Sequence, residues 1–123
     1  MSQSTATRET GLVRFPPNSI AYVAALGALV SAAIHFLLAP GIMGFNQTIG
    51  ILFYLNGAGW IAGLLVFFSR YWRRKLYLVA AAYAVVTLVA FFVMSGRFNT
   101  MSILSKLAEA AVAVTAVYLY SVD

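Results

Sequence analysis

The sequence predicts an all-α membrane protein, an up-and-down bundle of four transmembrane helices. Four apolar stretches, 20–38, 49–68, 76–94 and 103–122, occupy most of the 123 residues. A helix rising about 1.5 Å per residue needs roughly 20 apolar residues to cross a hydrocarbon core of about 30 Å, and each stretch approaches that length. Hydrophobic residues make up 63% of the chain and charged residues only 9%, with a mean hydropathy of +0.90, and no soluble globular domain needs so little charge. Short connections between the stretches favour antiparallel neighbours in a bundle.

Residues 1–14 carry no hydrophobic periodicity and read as a disordered polar tail preceding a membrane domain over 15–123. The tail is too polar for a signal-peptide core, and the apolar run after it is longer than an h-region of about 7 to 15 residues, so the first helix is expected to be retained. Pro16 and Pro17 break any helix before it, and Asn18 or Ser19 suits its cap. Ala39-Pro40-Gly41 is expected to end it. The second stretch follows an uncharged connection, 40–48, in which Asn46-Gln47-Thr48 matches a glycosylation sequon set too close to the helix for modification.

The connection before the third stretch is the opposite in character, with Arg70, Arg73, Arg74 and Lys75 within six residues. Placing both termini on the cytoplasmic face of the cell membrane puts six basic residues inside, Arg8 and Arg14 with those four, against Arg97 and Lys106 outside. That is the arrangement the positive-inside bias selects. Tyr71 and Trp72 lie in the same connection, where aromatic rings sit at headgroup depth, so Arg70, Trp72, Arg73, Arg74 and Lys75 are expected to meet anionic lipid headgroups. Topogenic anchoring alone also explains this cluster.

Residues three and four apart share a helix face. Small or polar stripes run through Ala24, Gly27, Ala28, Ser31 and His35 in the first helix, Asn56, Gly59 and Gly63 in the second, Ala80, Tyr83, Ala84 and Thr87 in the third, and Glu109, Ala113 and Ala116 in the fourth. Lipid gives no hydrophobic drive to helix association, so small residues and interhelical hydrogen bonds must supply it, and Gly27, Ser31, Gly59 and Gly63 are the expected packing positions. His35, Asn56, Lys106 and Glu109 all fall in the outer half and are expected to form one polar cluster. An ionisable group within a membrane helix costs about 2.5 to 3.5 kcal/mol at the helix centre, so Glu109 must be paired, protonated or near water, and Lys106 three residues earlier is its nearest partner.

The absence of cysteine excludes disulfides, iron–sulfur clusters, covalent c-type haem and thiol catalysis. A pI near 9.9 does not signal nucleic acid, because the basic residues flank helices. No phosphate-binding loop, HExxH, GxSxG or paired-carboxylate motif is present, and three acidic residues are all the chain has. Neither an enzyme nor a resident metal is therefore expected. His35 could ligate haem or quinone, although a bis-histidine site would need a second chain, and a structural hydrogen bond is the simpler role. Met43, Met94 and Met101 on the outer side have no spacing that builds a copper(I) site.

The runs Ala33-Ile34-His35-Phe36-Leu37, Gly50 to Gly57 (GILFYLNG) and Arg73-Arg74-Lys75-Leu76-Tyr77-Leu78-Val79 resemble small four-helix membrane proteins of uncharacterised function from archaea, especially haloarchaea. The resemblance spans all four helices and implies the same fold, with no catalytic residue to carry over. Three functions remain open from the sequence. One is a non-enzymatic accessory or interaction subunit, as a homo-oligomer or with a membrane protein partner. The others are a redox or cofactor-binding subunit using His35, and an oligomeric transporter or channel using Glu109.

Overall fold

A computed structural model describes residues 11–94 and 99–123. Four helices, each long and apolar enough to cross a membrane, make up most of it: α1 (Ile20–Met43), α2 (Gln47–Phe67), α3 (Leu76–Met94) and α4 (Thr100–Val122). Among the described residues there is no strand, only an isolated antiparallel bridge between Val13 and Ser69.

Local chemistry explains where the helices extend past the apolar runs. α1 continues through Pro40 to Met43, where the sequence predicts a stop at Ala39-Pro40-Gly41. Proline fits helical φ and removes one N–H, a loss that long apolar helices tolerate. α2 starts at Gln47 because the Asn46 side chain accepts the Ile49 N–H at 3.1 Å. At the head of α4, Asn99 and Ser102 form a capping box, each side chain bonding the other's backbone N–H at 2.9 Å, so the helix begins three residues before Ile103. Asn18 accepts the Ile20 N–H at 2.9 Å, while Ser19 makes no side-chain cap.

The helices pack in the order α2, α1, α4, α3, so that α1 touches α2 and α4, and α4 touches α1 and α3. Gly27 sets the approach of α1 to α4: a Cβ there would stand 2.9 Å from both the Ala108 carbonyl oxygen and Val112 Cγ2. Backbones this close follow from the small-residue stripe, because a residue without a bulky side chain lets the two helices approach. The contact between α2 and α3 is different in kind. It is made by side chains, chiefly Tyr83, whose hydroxyl donates to the Asn56 carbonyl at 2.8 Å, and Trp60, edge-on to the Tyr83 ring at 4.8 Å.

One end of the bundle gathers three remote segments. The Arg70 N–H donates to the Leu12 carbonyl at 2.8 Å and the Arg14 N–H to the Phe68 carbonyl at 2.7 Å. The Arg14 guanidinium lies over the Phe67 ring and also donates to the Phe67 carbonyl. Arg74 donates to the Tyr120 carbonyl at 2.9 Å and covers its ring. Residues 12–14, within the expected tail, thus find partners on the α2–α3 turn; residues 1–10, including Arg8, and Arg97 lie outside the described residues.

Candidate functional site

The polar chemistry of the chain converges on Glu109, which is fully buried between α1 and α4. Its Oε1 is held by Lys106 Nζ at 2.7 Å. Its Oε2 accepts from Ser31 Oγ of α1 at 2.6 Å and from Ser105 Oγ at 3.2 Å. Each arrangement follows from helix geometry: Ser105 and Lys106 lie four and three residues before Glu109, hence on the same face and one turn away.

His35 completes the group from α1, one turn beyond Ser31. Its Nδ1 stands 2.7 Å from the Ser31 carbonyl oxygen, and because a carbonyl can only accept, Nδ1 carries the hydrogen. The Ser31 hydroxyl lies 3.3 Å from the same nitrogen. This leaves Nε2 facing Glu109 Oε2 at 3.9 Å, too long for a direct hydrogen bond. The ring is 4% exposed.

Aromatic walls close the site from the remaining helices. Phe53 of α2 packs on His35 with centroids 5.0 Å apart, and Phe91 of α3 lies 5.1 Å from Lys106 Nζ. The result is an ionic clasp with parts from all four helices, in the half of the bundle away from the basic turn. A desolvated carboxylate is stable there because ammonium and hydroxyl donors replace water.

Residues 6–120, nearly the whole chain, match the model of one known family. The chain belongs to DUF7475, a family of unknown function. No curated protein and no solved structure matches it.

Of the expected polar cluster, this DUF7475 chain brings together His35, Lys106 and Glu109 but not Asn56. Asn56 bonds Tyr83 instead, at the α2–α3 gap, because α2 sits beside α1 and away from α4. Ser31, expected as a packing residue, is also a donor to the carboxylate, and Ser105 was legible only through its spacing of four from Glu109. Gly27 packs against α4, whereas a Cβ on Gly59 would collide with the Tyr83 hydroxyl and one on Gly63 would meet nothing within 4 Å. No group of three metal-ligating side chains occurs among the described residues.

The basic turn is less uniform than an expected headgroup collar. Trp72 is half-buried, its ring 4.7 Å from Phe67 and 5.0 Å from Tyr77, so it packs with the core. Arg70, Arg73, Arg74 and Lys75 are exposed.

Proposed function

We propose that the chain is a non-enzymatic accessory or interaction subunit of the cell membrane, with four spans and both termini on the cytoplasmic face. The observation that carries this reading is the closure of the polar interior around Glu109. Lys106, Ser31 and Ser105 hold its two oxygens, and both nitrogens of His35 face groups of the same network. A carboxylate so enclosed suits a fixed internal clasp and offers a permeant species or substrate no free oxygen. His35, sealed by Phe53, likewise suits the clasp better than axial ligation. What the molecule presents outward is apolar, including Leu55, Leu65 and Val86, each more than 60% exposed. The surface suits hydrocarbon and the helices of another membrane protein or a second copy.

The orientation rests on Arg14, Arg70, Arg73, Arg74 and Lys75 gathering at the end that also holds the C-terminus, with Lys106 in the other half. Crosslinking in native membranes followed by isolation in mild detergent tests the reading. The expected result is a covalent product with a second copy or another membrane protein. A strictly monomeric chain contradicts it.

A further inference from the structure

The side of the molecule between α2 and α3 is not filled. A cavity of about 320 Å³ lies there, floored by Ala28 of α1 and Ala116 of α4 and flanked by Gly63 of α2 and Ala80 of α3. No charged side chain lines it. Ala62, Gly63 and Val79, all exposed, stand at its open edge. The polar side-chain groups of its lining residues are the Tyr77 and Tyr83 hydroxyls and the Trp60 and Trp72 indole N–H groups; the rest of the wall is hydrocarbon and suits an apolar occupant.

Its two ends differ. Toward the bundle centre the cavity stops at Gly59 and Tyr83, where the Tyr83–Asn56 hydrogen bond ties α2 to α3. At the other end, Trp72 and Leu76 line it, and between them in sequence stand Arg73, Arg74 and Lys75. Arg74 is committed to Tyr120. Arg73 and Lys75 are exposed, and neither is in an ion pair with a carboxylate among the described residues; Arg73 Nη1 donates to the Arg70 and Trp72 carbonyls at 3.3 and 3.2 Å, which leaves its Nε and Nη2 to meet a phosphate. From Leu76 to Tyr83 the helix rises about 10 Å, roughly two thirds of one leaflet of a hydrocarbon core about 30 Å thick.

We propose that this cleft binds one anionic membrane lipid, with a hydrocarbon chain lying between α2 and α3 and the phosphate headgroup on Arg73 and Lys75. The apolar slot and the adjacent cationic turn match the two halves of such a molecule. A guanidinium offers a phosphate paired N–H donors, and each basic residue near a membrane surface favours anionic lipid. The slot exists because Gly63 and Ala80 leave unfilled the width that Tyr83 fills further along. The site is independent of any protein partner, so its failure would leave the accessory reading standing.

Native mass spectrometry of the full chain, released from vesicles of equal parts phosphatidylglycerol and phosphatidylcholine, tests the proposal. Wild type should retain one phosphatidylglycerol, preferred about tenfold over phosphatidylcholine. Gly63→Leu, which has room in the structure, should lose bound lipid of both kinds with its thermal unfolding unchanged. Arg73→Gln with Lys75→Gln, a surface change that keeps the slot, should retain lipid without the headgroup preference. Equal retention by wild type and folded Gly63→Leu, equal headgroup selection by the double variant, or a slot occupied by a second copy of the chain would overturn the proposal.

Discussion

Ser31 Oγ donates to Glu109 Oε2 at 2.6 Å across the α1–α4 interface, four residues along the same face of α1 from the glycine that lets the two backbones meet. Gly27 and Ser31 therefore act together: the missing Cβ brings the helices close, and the hydroxyl uses that closeness to neutralise part of a buried acid's desolvation. The stability of this interface should depend on both.

Removing the acid should be costly. Glu109→Ala leaves the Lys106 ammonium and two hydroxyls without their acceptor, and loss of one member of a buried ion pair costs about 3 to 5 kcal/mol. Lys106 is 15% exposed and can reach toward the interface, which places the expected loss near the lower figure. Replacing Glu109 and Lys106 together by Met should recover most of it. Unfolding in detergent of the two single variants and the double variant measures the coupling.

Two glycines in similar sequence settings should respond in opposite ways. Gly27→Ala pushes a methyl into the Ala108 carbonyl and Val112, and overpacking of this kind costs about 1 to 3 kcal/mol. Gly63→Ala meets nothing within 4 Å and should be neutral or stabilise by about 0.5 kcal/mol through helix propensity. Paired melting curves decide between these outcomes and a uniform role for small residues.

Tyr83→Phe removes the hydroxyl that donates to Asn56. The expected loss is about 1 kcal/mol, that of one net hydrogen bond, because the ring still packs edge-on to Trp60. A loss several times larger would mean that α2 and α3 depend on this bond for their association.

Because the chain has no cysteine, single introduced thiols report its orientation without background. Lys75→Cys and Asp123→Cys should react with an impermeant reagent only from the cytoplasmic side. Phe45→Cys, at an 80% exposed position beyond α1, should react only from the other. Labelling of Lys75→Cys and Asp123→Cys from opposite sides would refute an even number of spans.

Apolar runs announce these helices plainly, since length and hydropathy are properties of the sequence itself. Their ends were less legible: Pro40 inside α1 and the Asn99–Ser102 box before α4 depend on where backbone N–H groups find partners. The pairing of Lys106 with Glu109 follows from a spacing of three, and His35 with Ser31 from a spacing of four. Which helices are neighbours does not follow from spacing. Asn56 is expected from the sequence in the same half as the clasp but lies on a helix that α1 separates from α4, so it bonds Tyr83. The cleft was hidden for the same reason, because Gly59 and Gly63 form one sequence motif yet face a tyrosine hydroxyl and open space.

On the proposed function, the ionic clasp serves the molecule's own packing while association depends on its apolar exterior. Crosslinking wild type and Glu109→Gln side by side in native membranes separates the two roles, with unfolding curves confirming that both are folded. The same covalent partner in the same yield is expected from each, with Glu109→Gln only less stable. A wild-type chain that stays strictly monomeric, or a folded Glu109→Gln that loses its partner, would contradict it.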